Sequence, residues 1–408
     1  MADYVIDLIS VQQFEISTLD TSSSEKKYLI RYKERHFEVG KSVVQLIEIL
    51  KHSSSLEEAK ELLCLQRKEN ISIELMNSII NQCIIPIIES EKKTKPKPFI
   101  VRLEIIPANI VAIVSKIGRF LFEPLIVKIL LFATIILHSF FYISINDTFV
   151  IGELDIITIL GIIVLYIISS CFHELGHASA CQYYGIEHGG VGFGLYLSFP
   201  VFYTDVSNIW KLPKNKRLSV NFAGIYFQSI FLIGLLTIYF INPNPIIGYF
   251  ILTVNFNFLI TLNPFFKFDG YWIVSDLLGV PNLRQRTQEV FVYLFKKIMR
   301  KQIIKKPFLF NMSKGKKIFM LIYSVIMNIF FVYVFSYIIP LFIYNFFITF
   351  PELAKNLITQ IALGNMPSFS LIRHTFTQFL CLGFMSFTIY RVLKPLIIQL
   401  IDKTRNVF

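Results

Sequence analysis

Two hydrophobic patterns divide the chain. Over residues 1–90 apolar and polar positions interleave at short range, and no apolar run is long enough to cross a bilayer. "KKYLIRYKERHFEVGKS" reads as two short strands around a turn. "SVVQLIEILKHSSS" carries apolar residues at helical spacing. "SLEEAKELL" opens with Ser55 and Glu58 in a capping-box arrangement, and "SIELMNSIINQCIIPIIES" predicts a further helix that ends or breaks near Pro86. The expectation is a small α+β unit, a hairpin followed by about three helices. A basic, proline-broken linker follows, "EKKTKPKPFIVR", and residues 103–120 predict a helix at the membrane surface anchored by Lys116 and Arg119.

From residue 121 the pattern changes to long apolar runs. Six of them predict spans near 125–146, 156–182, 218–241, 246–265, 318–341 and 370–390. The fifth, "IFMLIYSVIMNIFFVYVFSYIIPLFIYNFFITF", is too long for one simple span and short for two, so Pro340 is expected to end or kink it. Basic residues alternate between connections. Lys92, Lys93, Lys95 and Lys97 precede the first span, "NDTFVIGELD" has none, and Lys211, Lys214, Lys216 and Arg217 lie between the second and third. "NPNP" is uncharged, and the connection after the fourth span is rich in Lys and Arg. By the positive-inside rule both termini are expected in the cytoplasm, with the second span running from outside to inside. The fold class expected is mostly α: a polytopic six-helix membrane protein with an N-terminal winged-helix-like α+β domain. Its parts are residues 1–90, a linker and surface helix over 91–120, and a membrane domain over 121–408.

Composition agrees with that division. The 408 residues are 54% hydrophobic with 41 Phe, and mean hydropathy is +0.58, too apolar for an ordinary soluble domain. The net charge of +12 fits cytoplasmic loops, and no groove-reading motif accompanies it, so nucleic acid is not an expected partner. "LFKKIMRKQIIKKPF" reads as a surface helix held to anionic lipid. Cys64, Cys83, Cys171, Cys181 and Cys381 are scattered and odd in number, which points to reduced thiols rather than a disulfide framework or a thiolate metal site. The acidic start "MADYVIDLISVQQFE" lacks a basic and apolar leader, so no cleavable signal peptide is expected.

Candidate chemistry sits in the second span, where "SSCFHELGHASAC" follows "IITILGIIVLYIIS". Ionisable residues are costly in hydrocarbon and mark function by default. His173 and His177 are four residues apart, so a helix places both imidazoles on one face, able to hold one zinc ion. Glu174 stands beside them as the base that would take a proton from a zinc-bound water. The bland alternative is a set of polar residues satisfied inside a helix bundle. A catalytic zinc needs a third protein ligand, and Asp269 in "NPFFKFDGYW" is the best candidate; alone it reads first as a solvated turn residue, and only paired with the His-Glu-x-x-His pattern does it read as the ligand. Its depth matches imperfectly: at 1.5 Å per residue His173 lies about 25 Å into its span and Asp269 about 35 Å. Between the second and third spans, "HGGVGFGLYLSFPVFYTDVSNIW" predicts a hairpin or re-entrant element near the site. Asn263 is a candidate for holding substrate backbone; Tyr203 and Asp205 are candidates that read equally as turn structure. His138 and His374 read as packing or interfacial histidines, and Asn221, Gln228, Asn255 and Asn257 as contacts between helices, Asn257 being also a candidate to polarise a scissile carbonyl or hold substrate backbone behind Asn263.

HELGH in a membrane helix with an Asn-Pro…Asp-Gly motif two spans later resembles the site-2 protease family of intramembrane zinc metalloproteases. "NPFFKFDGYWIVSD" resembles its peptide zinc metalloprotease branch. The resemblance implies one Zn2+ held by His173, His177 and Asp269, Glu174 as general base, and a catalytic core over about 156–270. It implies hydrolysis of a peptide bond in a precursor or leader peptide, ribosomally made and modified, within or beside a bacterial cytoplasmic membrane, with modifying or export proteins as partners. Phe268 stands where many site-2 proteases have Leu, and a second proline common near the aspartate is replaced. The alternative is a non-catalytic membrane component of peptide export or self-immunity that keeps the fold. "HFEVGKSVVQLIEILKHSSSLEEAKELL" resembles PqqD-like leader-recognition domains, with a generic winged helix as the alternative. That resemblance places binding on the hairpin edge, Tyr28 to Val39, and the helix from Ser42.

Overall fold

The computed structural model describes residues 8–33, 35–68, 70–91, 99–145, 156–196, 199–300, 302 and 306–405. The chain is mostly helical, and its packing divides it into two units. One holds residues 1–97, 103–193 and 202–320; the other holds 98–102, 194–201 and 321–408.

The first unit begins with α1 (Leu8–Gln12) and an antiparallel sheet of β1 (Glu15–Leu19), β2 (Lys27–Tyr32) and β3 (Arg35–Gly40), in the order β1-β2-β3. The expected hairpin is β2–β3, with Ile30 opposite Phe37; β1 is an additional strand, placing Ile16 opposite Ile30. Four helices follow: α2 (Lys41–His52), α3 (Leu56–Arg67), α4 (Ile73–Cys83) and the short α5 (Ile85–Ile88). Ser55 caps α3 by accepting from the Glu58 amide. The Glu58 carboxylate reaches one residue further back than a capping box requires, to the Ser54 amide at 2.7 Å. Pro86 sits in the first turn of α5, where its missing N–H is harmless. The apolar stripe of α2 closes on the sheet: Ile30, Leu46, Ile47, Leu50, Leu63, Met76 and Ile80 are buried together. The linker over 92–98 lies outside the described residues.

The expected surface helix over 103–120 is shorter than its range. Residues Phe99–Ile106 form strand β4, Pro107 stops it, and helix α6 runs from Ala108 to Gly118 before a 3-10 turn, Arg119–Phe122. One face of α6 buries Val111 and Ser115, and Lys116 and Arg119 are exposed. The helices α7 (Pro124–Ser144), α8 (Ile156–Tyr183) and α9 (Lys214–Ile241) coincide with the first three expected spans. The connection over 146–155 lies outside the described residues. Between α8 and α9 the Gly-rich stretch is a hairpin, β5 (Val191–Tyr196) and β6 (Phe199–Thr204), in a sheet of order β4-β5-β6. The fourth expected span is α10 (Pro245–Thr261), which stops four residues early because Pro264 lies in the turn that follows. Two short elements come next, α11 (Asp269–Leu278) and α12 (Leu283–Ile298). α8 and α11 each pack on α9, and α6 packs on α8, while Phe141, Leu232, Leu236, Ile251 and Val254 join α7, α9 and α10.

Expectation and structure differ most after residue 313. Among the described residues four helices are long and apolar enough to cross a membrane: Pro124–Ser144, Ile156–Tyr183, Lys214–Ile241 and Lys314–Ala362. α10 falls short of that length, and the final helix, α15 (Phe369–Arg405), is not among them. The fifth apolar stretch does not end at Pro340. It runs as α13 (Lys314–Tyr333), one π-helical turn (Val334–Ile338) and α14 (Ile339–Ala362). A proline cannot donate to the carbonyl four residues back, and the wider turn just before Pro340 absorbs that mismatch without breaking the helix. In the second unit α14 and α15 pack through Phe346, Phe350 and Phe379, with a Gln378 to Thr349 hydrogen bond of 3.1 Å.

Candidate metal centre

The inner half of α8 is polar and buried. Ser169, Ser170, His173, Glu174, His177 and Ser179 all sit among buried positions. The helix can carry them there because α9 offers matching polar groups at the same depth. Arg217, Asn221, Gly224 and Gln228 recur at spacings of four, three and four, one stripe along an otherwise apolar helix.

Each imidazole is oriented through Nδ1. His177 Nδ1 lies 2.8 Å from the Val220 carbonyl, an acceptor only, so it donates. His173 Nδ1 lies 3.0 Å from Gln228 Oε1, and the Gln228 amide donates in turn to Ser169 Oγ at 3.1 Å. This fixes the tautomer of both rings and turns both Nε2 atoms the same way. The two Nε2 atoms are 3.1 Å apart. Asp269 Oδ2 stands 2.7 Å from His173 Nε2 and 3.2 Å from His177 Nε2. Two nitrogen lone pairs and a carboxylate oxygen in so small a space need a shared cation, a proton or a metal ion.

Asp269 arrives there because the helix rise does not continue to it. α10 ends at Thr261, residues 262–268 fold as turns, and Asp269 begins α11. The difference in depth expected from a continuous helix is taken up by those turns. Asn263 shapes them: its Oδ1 accepts from the Phe265 amide at 2.9 Å. Arg284 holds the same loop, donating from Nη2 to the Phe265 carbonyl at 3.0 Å. Gly270 is required here, since a β-carbon would come within 2.1 Å of the Leu262 carbonyl oxygen.

Glycine is required on α9 too. A β-carbon at Gly224 would lie 2.4 Å from His173 Nε2 and 2.6 Å from His177 Nε2. Gly176 serves the contact between helices, because a β-carbon there would meet the Ala223 carbonyl oxygen at 2.3 Å. Gly224 and Gln228 are neighbours of the candidate ligands that the motif does not contain; the polar stripe on α9 is the signal that reveals them.

His173, His177 and Asp269 form the metal-capable group among the described residues, their ligand atoms within 4.8 Å of one another. The donor set fits zinc. Two neutral imidazoles and one carboxylate supply three ligands and leave a fourth position open. Glu174 follows His173 directly on α8 and is buried. The hairpin touches it: Thr204 Oγ1 donates to the Glu174 carbonyl at 3.4 Å. Tyr203 lies across the strand, its ring against Gly192, and Asp205 Oδ1 accepts from the Ser207 amide at 3.0 Å. His138 bonds Asn255 Oδ1 at 3.1 Å, and Asn221 bonds Asp276, so both join helices. All five cysteines are unpaired.

Compared with known proteins, the chain is 25% identical over 122 residues to a curated Bacillus subtilis (strain 168) protein named "Putative peptide zinc metalloprotease protein YydH". The match covers 29% of this chain and 48% of that protein, so it spans about half the length of the relative. No protein-family model matches the chain, and no solved structure matches it.

Proposed function

We propose that the chain is an intramembrane zinc metalloprotease that hydrolyses a peptide bond in a precursor or leader peptide. The observation that carries this reading is the meeting of His173, His177 and Asp269 beside Glu174 on a membrane-length helix. The similarity to a protein named as a peptide zinc metalloprotease supports a peptide substrate. A zinc ion bound there would supply a Lewis acid for the scissile carbonyl and a water ionising near neutral pH. His173 and His177 would hold the ion through Nε2, kept in that tautomer by the Nδ1 contacts to Gln228 and Val220. Asp269 would add the anionic ligand. Glu174 removes the proton from the attacking water and delivers it to the leaving amine nitrogen. The sheet beside α8 would receive the substrate in extended form by strand addition. Asn263, whose Oδ1 is engaged in its own turn, keeps its Nδ2 amide for a substrate carbonyl. Tyr203 and Asp205 shape the hairpin that presents that sheet.

In this reading the N-terminal sheet and helices recognise the leader of the precursor, and the basic connections face the cytoplasm with both termini. The shorter α10 and a segment of α15 complete six crossings. The test is cleavage in detergent of a precursor peptide encoded beside the gene. Wild type should cut it. Glu174→Gln should keep zinc and lose cleavage about a hundredfold or more. A Glu174→Gln protein that retains the full biological output would assign the chain to peptide export or self-immunity instead.

A further inference from the structure

The loop between β1 and β2, residues 20–24, is far from the candidate metal ligands in sequence, yet it grips α9, which orients His177, and α11, which carries Asp269. It meets the start of α9 first. Pro213 precedes that helix and offers no side-chain cap, and Asp20 supplies one from outside: its Oδ2 accepts from the Lys214 amide at 3.1 Å. The Asp20 carbonyl accepts from Arg217 Nη2 at 3.1 Å. Arg217 is 2% exposed and spends its other donors nearby, Nη1 on the Leu212 carbonyl at 2.9 Å and Nε on Asp276 Oδ1 at 2.7 Å. Asp276 Oδ2 accepts from Asn221 at 2.7 Å.

The same loop also meets the end of α11. The Ser22 amide donates to the Gly279 carbonyl at 2.8 Å, and Gly279 is the left-handed C-cap of that helix. Lys316 Nζ donates to Ser22 Oγ at 2.7 Å, and the Ser24 amide to the Asn311 carbonyl at 2.8 Å.

Both gripped helices lead straight to the metal ligands. Asp276 lies seven residues after Asp269 on α11, about 10 Å along one helix. Asn221 adjoins Val220, whose carbonyl orients His177. A buried Arg–Asp pair is stable only when its remaining donors and acceptors are satisfied, and the Asp20 carbonyl completes this one. We propose that the 20–24 loop is a clasp that positions the third metal ligand. Docked, it locks α11 against α9 and holds Asp269 at the two imidazoles. Displaced, it leaves Arg217, the Lys214 amide and the Gly279 carbonyl without these partners, and α11 is free to carry Asp269 away. Asp20, Arg217 and Asp276 are positioning residues in this scheme. Docking of the N-terminal domain and completion of the metal site are then one equilibrium, so a peptide that moves that domain is sensed at the metal.

The inference rests on the zinc-site reading, and one experiment separates the two. Zinc affinity is measured by chelator competition on the full chain in detergent, with the visible spectrum of the cobalt(II)-substituted protein as a second readout. Asp20→Ala removes the cap. Gly279→Ala pushes Ser22 away, since its β-carbon would meet Ser22 Oγ at 2.4 Å on a backbone with φ +63°. Both should weaken zinc about tenfold, as loss of supporting shells does, and alter the cobalt bands. Asp20→Asn keeps an acceptor for the Lys214 amide and should behave as wild type. If wild type binds zinc and both disruptive variants keep its affinity and cobalt spectrum, the clasp is wrong and the zinc site stands. If wild type binds no zinc, both fall.

Discussion

The N-terminal sheet domain and the membrane helices are built in opposite senses. In the domain Ile30, Ile47 and Leu50 are fully buried, and charged residues such as Glu57 and Lys60 lie outside that core. On α8 the apolar half faces outward, with Ile157 at 75% exposure, while His173, Glu174 and His177 are inside. Water drives the first arrangement. In lipid there is no such penalty on exposed Ile, and the polar groups must find partners inside the protein. The lesson lies at Ser169, where α8 passes from outward-facing isoleucines to a hydrogen bond with Gln228. One helix holds both kinds of surface because α9 turns a polar stripe toward its inner half only.

That contrast can be broken at its tightest point. Gly224→Val places carbon where the two imidazoles meet, and zinc should fall from about one ion per chain to near zero by elemental analysis. Equal truncations sharpen the contrast. Leu50→Ala in the N-terminal core should cost about 3 kcal/mol in unfolding experiments, whereas Ile157→Ala on the outer face of α8 should stay within about 0.5 kcal/mol. Smaller still, Ser55→Ala removes the cap of α3 and should cost about 1 kcal/mol, confined to the N-terminal domain.

The smallest effect is one of pH. Burial pushes the His36 imidazole below its usual 6.5, aided by Arg31 and Lys211 and opposed by Asp205 and Glu15. The unfolded chain therefore binds a proton that folded His36 resists. The stability from this residue is full above pH 6.5 and drains as pH falls through the window below it. His36→Gln should flatten that part of the stability profile.

Much of the candidate metal site was legible in residue order because its logic is local. A spacing of four places His173 and His177 on one face whatever surrounds them, and Asp269 after the Asn-Pro break becomes a ligand candidate only in combination with that pair. The depth of Asp269 was not legible, since counting residues along a helix says nothing of the turns over 262–268. Nor was β4, whose "FIVRLEII" lies between a basic linker and a helix and becomes a strand beside the distant β5–β6 hairpin. Pro340 reads locally as a break, and only a π-turn explains the helix that passes through it. Arg217, Asn221, Gly224 and Gln228 were visible as letters. Their meaning depends on which helix they face.

In the proposed function three side chains from two helices hold one zinc ion, with a coordination position left for chemistry. X-ray absorption at the zinc edge of the purified full chain tests it most directly. The expected result is about one zinc per chain, with nitrogen and oxygen neighbours at about 2.0–2.2 Å, two of them imidazoles, and no sulfur. A sulfur shell at about 2.3 Å, or a zinc signal unchanged in Asp269→Ala, would contradict it.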